Sequence, residues 1–172
     1  MSINTGKIAA QNKALLTREQ YDSEFIPNIP QGVCTFCDWK DYQRVIKESG
    51  YWVWIENLAP YWYYHTMFVP KRHFTKEADM TMAEMADLIK LKEYAVDIVM
   101  KSKLNYPSGK DKGRSIEKFV YFHRYRFNRY DPVSGTIRPD HYHDHFTPDV
   151  DHRWDSTLDK DAYKFSLKDN LQ

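Results

Sequence analysis

Three histidines spaced two apart, His141, His143 and His145, sit in the run His-Tyr-His-Asp-His. In an extended strand alternate side chains share a face, so three imidazoles would project together. A buried imidazole needs partners for both ring nitrogens, so such a cluster is either a solvated polar strand or a face made for chemistry. Two chemistries suit it. Imidazole is a metal ligand, and near neutral pH it is also a nucleophile or a general acid–base. A second set of soft ligands lies far upstream: the chain's two cysteines, Cys34 and Cys37, form Cys-x-x-Cys. One pair makes no disulfide framework, and in a cytoplasmic protein this spacing suits metal binding or redox work. His65 and His73 bracket the segment His65-Thr-Met-Phe-Val-Pro-Lys-Arg-His73. Taken singly, His65 reads as a satisfied core histidine and His73 as a surface residue past a strand end.

A fourth group is basic. Within Phe119–Asn128, alternation puts Arg124, Arg126 and Asn128 on one face, where they either meet phosphates or form a solvated edge. The surrounding mix Tyr121-Phe122-His123-Arg124-Tyr125-Arg126-Phe127 also has the aromatic and basic character that stacks bases and neutralises phosphate.

Strands and one helix must position these groups. Tyr42–Lys47 and the aromatic, β-branched run Tyr51–Glu56 are expected strands, with Glu48-Ser49-Gly50 as the turn. Asn57–Pro60 breaks the run and Tyr63–Val69 resumes it, giving an antiparallel neighbour pair. The helix spans Met82 to Lys101. Thr81 with Glu84 makes a capping box, and Met85, Leu88, Ile89, Ala95, Val96 and Val99 recur as one apolar stripe. Asn105–Arg114 and Asp131–Pro139 are loops, and Phe119–Phe127 and His141–Phe146 are the closing strands. The order points to an α+β domain with an antiparallel sheet. Residues 1–30 form a polar extension with prolines near its end and a short helix near Asn12–Leu16. The domain covers 31–150, and 151–172 is a polar tail with room for a terminal helix.

Composition bounds the reading. The 172 residues suit one domain with a real core, and the 16% aromatic content, 13 Tyr and 5 Trp included, favours a tyrosine-rich sheet. A formal net charge of +1 gives no global attraction to nucleic acid or anionic membrane. No apolar run spans a bilayer and no apolar segment follows the first residues, so a cytoplasmic protein without a signal peptide is expected.

In combination, the pieces resemble the histidine triad superfamily. Cys34-Thr35-Phe36-Cys37, Asn57-Leu58-Ala59-Pro60, the His65–His73 block, the helix after it, Asn128 and the closing His-x-His-x-His occur in the family's order, over about Cys34 to Pro148. The uridylyltransferase branch and several bacterial members carry a similar Cys-x-x-Cys zinc arrangement. The resemblance implies a HIT-like fold, an antiparallel meander with one main helix packed on it, often as a homodimer. It implies a nucleotidyl hydrolase or transferase in which His143 attacks the α-phosphorus of a nucleotide-type substrate and forms a nucleotidyl-histidine, while His145 contacts the phosphate or leaving group. Cys34, Cys37, His73 and His141 would hold a structural zinc, because four ligands close a tetrahedral shell. Asn57 would meet ribose, Leu58 and Trp54 would flank a base, and Arg124, Arg126 and Asn128 would lie near the phosphates.

The chain departs from the family's pattern in three places. Asp144 stands where an apolar residue is usual, and Asn57 where an acidic one is common. The loop before the triad, Ser134-Gly135-Thr136-Ile137-Arg138-Pro139-Asp140, lacks the usual Gln. Two other functions remain open. One is a non-catalytic nucleotide- or RNA-binding module on the same fold; the other makes the three triad histidines a catalytic metal site with the cysteines incidental.

Overall fold

A computed structural model describes residues 14–30, 32–109, 111–123, 129–130, 137–138, 141–149 and 161–171. Its centre is a five-stranded antiparallel sheet built from β1 (Val45–Glu48), β2 (Trp52–Glu56), β3 (Thr66–Pro70), β4 (Phe119–His123) and β7 (Asp144–Pro148), in the spatial order β1-β2-β3-β7-β4. A separate two-residue pair joins β5 (Arg129–Tyr130) to β6 (Ile137–Arg138). One long helix, α1 (Met82–Lys101), connects the first three strands to the rest. The fold is α+β, as expected.

The last strand of the chain inserts between β3 and β4. His145 pairs with Met67 on one side and with Phe122 on the other. The ladder begins at Asp144, so His141, Tyr142 and His143 precede the regular strand expected to start at His141. The first strand is likewise later than expected, because Trp39–Tyr42 forms a helical turn that takes up Tyr42.

Alternation separates the sheet into two faces. Trp52, Trp54, Phe68, Tyr142 and Phe146 face α1 and pack with Leu88, Leu91, Ala95 and Val99. Val53, Ile55, Met67 and Val69 face the other way, under Trp39, Phe36 and Val45. Indole N–H groups buried among apolar atoms need acceptors, and both find them: Trp52 donates to the Glu84 carbonyl and Trp54 to Thr66 Oγ1, each at 2.8 Å.

The Thr81–Glu84 capping box starts α1 as expected. The apolar stripe is narrower than expected. Met85, Ile89 and Val96 are 40%, 52% and 39% exposed, while Glu84, Leu88, Leu91, Ala95 and Val99 line the sheet. Those five recur at steps of four, three, four and four, which is one helical face; Ile89 and Val96 lie about 100° around from their buried neighbours. Glu84 tolerates burial because Arg72 binds its carboxylate through two bonds, at 2.8 and 2.9 Å, and Thr81 donates to it. The Arg72 bond holds its carboxyl down at about 2.

Polar sequence at both ends of the described chain hides anchoring residues. Leu16, Phe25 and Ile26 pack around Tyr42 and Leu58, and the Leu16 N–H donates to the Leu58 carbonyl at 2.7 Å. A short helical turn at Arg18–Gln20 lies later than the helix expected near Asn12–Leu16, of which 12–13 lie outside the described residues. In the segment expected as a polar tail, 161–171 carries two 3₁₀ turns, and Leu167 is almost fully buried in the main core. Arg44 Nε and Glu56 Oε2, both deeply buried, meet at 2.7 Å as an ion pair off the hydrogen-bond line. Ser166 Oγ donates to Glu56 at 2.6 Å, and the Lys168 N–H donates to the same oxygen. A buried charge pair is tolerable only when its remaining valences are satisfied, and the C-terminal segment supplies that.

Candidate active site and metal centre

On the sheet face away from α1, the loop carrying Cys34 and Cys37 folds over the entry to β7. Cys34 Sγ lies 3.3 Å from His141 Nδ1, and Cys37 Sγ lies 3.6 Å from the same nitrogen and 3.4 Å from His73 Nδ1. The four ligand atoms all lie within 4.8 Å of one another. A tetrahedral cation with bonds of about 2.0–2.3 Å needs ligands about 3.3–3.8 Å apart, so the residues present fit one. Among the described residues this is the one such group of Cys, His and carboxylate side chains.

His141 Nε2 lies 2.9 Å from the Pro70 carbonyl, an acceptor only, so Nε2 carries the proton and Nδ1 offers its lone pair. Burial lowers the His141 pKa to about 4, which keeps the ring neutral, the form a ligand must have. Burial, with Cys34 alongside, pushes the Cys37 thiol up to about 12. A divalent cation reverses that preference by binding thiolate directly.

His143 follows two residues on, half-buried. Its Nδ1 lies 2.8 Å from the His141 carbonyl and therefore donates to it, leaving the neutral ring's nucleophilic lone pair on Nε2. The Phe36 ring, between the two cysteines, packs on His141 and His143 with centroids at 5.6 and 5.3 Å. The ligand loop thus touches both the metal-side ring and its neighbour.

His145 stands edge-on to His143, centroids 4.8 Å apart, and stacks on Phe122 at 4.6 Å. Its Nδ1 meets His65 Nε2 at 2.8 Å. Sequence reasoning gave His65 no part beyond the core and the family match. Its signal was the strand register, which places His65 one residue before the β3 ladder and beside β7. The Tyr61 N–H donates to His65 Nδ1 at 3.3 Å, and the Asn57 amide nitrogen lies over the ring, 3.3 Å from Nδ1 and 3.5 Å from Nε2. Tyr61 also lies over the His65 ring and receives the Arg18 guanidinium on its hydroxyl.

The other expected substrate contacts are placed differently. Leu58 is only 3% exposed, enclosed by Phe25, Ile26 and Tyr42, and Asn57 spends its amide on His65 and the Ala59 N–H. Trp54 faces α1 and is fully buried, so it does not line the histidine face. Arg124, Arg126 and Asn128 lie outside the described residues, as do Ser134 to Thr136 of the loop before the triad. Of the stretch considered for base stacking, Tyr121 stacks on Phe146 and donates to the Lys92 carbonyl, and Phe122 lies against His145.

The anomalous Asp144 has a local account. On the helix face it accepts from Lys92 Nζ at 2.5 Å and from the Tyr142 hydroxyl at 3.0 Å. It ties α1 to the strand that bears the histidines.

No family model matches the sequence, and no curated protein matches it. Solved structures do. A uridylyltransferase mutant shares 16% identity with a TM-score of 0.50 over 76% of this chain and 36% of its own. An ADP-glucose phosphorylase from Arabidopsis thaliana, with bound ADP-glucose, shares 15% at a TM-score of 0.50 over 77% and 37%. The chain thus spans about a third of each. A histidine triad nucleotide-binding protein from Candida albicans matches at 17% and 0.49 over 69% of this chain and 76% of its own. The architecture of this chain is the HIT-like fold.

Proposed function

We propose that this protein transfers or hydrolyses nucleotidyl groups through His143, around a structural zinc held by Cys34, Cys37, His73 and His141. The observation that carries the reading is the His143 Nδ1 bond to the His141 carbonyl, which puts the nucleophilic lone pair on Nε2 beside a second imidazole, His145. His143 Nε2 would form a bond to the α-phosphorus while the bond to the leaving group breaks; water or another acceptor then releases the nucleotide. Splitting one phosphoryl displacement into two steps is what a covalent imidazole contributes. His145 would stabilise charge on the phosphoryl oxygens.

Zinc is favoured by the donor set, two soft thiolates and two imidazoles closing a tetrahedral shell. When bound it supplies rigidity, and His143 needs no bond to it. Two proteins of the same fold, a uridylyltransferase and one holding ADP-glucose, support a nucleotide-type substrate. Arg124, Arg126 and Asn128 belong to the proposal as phosphate contacts. The family's frequent homodimer is proposed here too. No helix among the described residues is long and apolar enough to cross a membrane.

The test is chemical. The protein is incubated with adenosine and uridine phosphoramidates, dinucleoside polyphosphates and nucleotide sugars, and intact mass is read. A nucleotidyl adduct localised to His143 is expected. Tight RNA binding with no adduct on any substrate would replace this reading with the binding-module one. The packing of Phe122 on His145 weighs against that alternative.

A further inference from the structure

The N-terminal segment, polar in composition, delivers a cation beside the histidine face. The Leu16 N–H donates to the Leu58 carbonyl at 2.7 Å, the Thr17–Gln20 capping box fixes the next turn, and Tyr21 stacks on Phe25 with centroids 5.1 Å apart. Arg18 lies within that anchored turn. Its guanidinium carbon is 4.4 Å from the Tyr61 ring centroid and 5.4 Å from that of Tyr21, and Nη2 donates to the Tyr61 hydroxyl. Tyr61 is held in its turn by its N–H on His65 Nδ1. Its ring lies 5.7 Å from that of His65, which lies 5.0 Å from that of His145. Arg18 thus stands at the end of a row of rings, His143, His145, His65 and Tyr61. Arg44, Arg72 and Arg114 each hold a carboxylate, of Glu56, Glu84 and Asp111. Arg18, half-buried, holds none among the described residues, and beyond the Tyr61 hydroxyl its donors meet no acceptor there.

We propose that Arg18 is a substrate-binding residue that selects for a second phosphate, remote from the phosphorus that His143 attacks. The reacting phosphate belongs to the nucleotidyl reading above; the anion site rests on Arg18 and its own surroundings. A cation drawn partly out of water without a counter-ion is costly, and the tyrosine faces offset only part of that cost. An anion brought by a ligand supplies the rest. The two rings hold the guanidinium over their faces and leave its rim donors open, which suits the paired oxygens of a phosphate. With the reacting phosphate at His143 and His145, a substrate laid along the row of rings brings its next anionic group to Arg18. Two kinds of substrate carry such a group: a polyphosphate chain, and a ribose bearing a phosphate of its own. Arg18 makes no bond to the reacting atoms, so it contributes binding common to the ground and transition states, felt in KM more than in kcat.

The experiment is calorimetry on full-length, metal-loaded protein at low and physiological salt, with AMP, ATP, adenosine 3′,5′-bisphosphate and inorganic tripolyphosphate as probes. Wild type is expected to bind ATP or the bisphosphate about tenfold or more tighter than AMP, as a charge-assisted pair implies. Whichever of the two shows the larger gap names the source of the phosphate. In Arg18→Gln that gap closes to about twofold or less, and the salt dependence of binding weakens. Arg18→Lys keeps the charge, loses the planar fork and retains part of the gap; it serves if the glutamine variant fails to fold. Wild type that binds AMP, ATP and the bisphosphate alike, or binds none of the probes, overturns the proposal. So does an Arg18→Gln protein that melts earlier yet keeps the wild-type preference, which makes Arg18 a packing residue of its segment. The anion site and the nucleotidyl reaction are separable. Arg18-dependent tripolyphosphate binding without an adduct on any substrate supports the site and removes the reaction, and a His143 adduct without any Arg18-dependent preference does the reverse.

Discussion

The two ends of the histidine strand hold His143 by different means. On the upstream side, His141 is fixed by two thiols, a third ligand in His73 and the Pro70 carbonyl, with Phe36 wedged against both rings. On the downstream side, His145 is fixed by one ring–ring hydrogen bond and an aromatic stack, backed by an amide and a backbone N–H. With the proposed metal bound, the first end would depend on coordinate bonds, whose energy is also folding energy. The second depends on neutral hydrogen bonds worth about 0.5–1.5 kcal/mol each. Damage upstream should therefore unfold the protein, whereas damage downstream should slow it.

The sharpest way to separate the two ends is to remove what lies between them. His143→Ala should abolish the adduct and lower turnover by several orders of magnitude, since a covalent route is lost outright. Metal content and melting temperature should stay near wild type. A folded, metal-loaded variant with near-normal turnover would break the nucleophile assignment.

At the upstream end, Cys34→Ser should lower stability by several kcal/mol, because a structural metal contributes directly to folding. Chelator titration monitored by thermal melting checks this. Wild type should melt earlier with chelator, and the variant should respond little. Equal melting of the two proteins in the absence of chelator would mean that the cysteines hold nothing.

At the downstream end, His65→Ala should leave the melting curve close to wild type beyond its cavity cost and reduce kcat by about 10–100-fold. This is less than the 10²–10³ lost with a direct oxyanion donor. Steady-state kinetics on the substrate found by adduct screening measure it. A purely structural His65 would show the stability loss without the kcat loss.

The smallest effect lies outside both ends. Arg72 depresses the Glu84 carboxyl to about 2, below the ordinary 4.5. A depressed carboxyl contributes stability that is complete above the unfolded value and is lost as pH falls through the folded one. Stability should accordingly decline between about pH 4.5 and 2. Glu84→Gln should flatten that part of the acid-unfolding profile, and an unchanged profile would show that the pair is screened out.

Strand types, the long helix and its capping box were legible because aromatic runs, alternation and Thr81-x-x-Glu84 are local signals. The grouping of Cys34, Cys37, His73 and His141 was legible only through the family resemblance, because spacing alone made His73 a surface residue. The inward face of α1 was misjudged at Met85, Ile89 and Val96. Composition placed apolar residues on two adjacent faces, and only the buried Glu84, neutralised by Arg72 from another element, shows which face the sheet takes. The role of His65 was hidden for a related reason. Nothing in its own segment names a partner 80 residues away, and the register of β3 against β7 decides it. Leu58 was expected at a pocket wall, yet Phe25 and Ile26 cover it from a segment whose polarity suggested an appendage.

The Arg44–Glu56 pair bears on how the chain is made. Both charges come early in the sequence and are buried, yet Ser166 and the Lys168 amide, 110 and 112 residues downstream of Glu56, complete the bonding of that carboxylate. A nascent chain on the ribosome therefore carries two incompletely satisfied ions until those residues emerge, and the sheet cannot lock early around them. Synthesis interrupted between Pro148 and Phe165 leaves every strand among the described residues and every proposed metal ligand in the product, but not the segment that closes the interior. Such fragments should be held by chaperones or degraded.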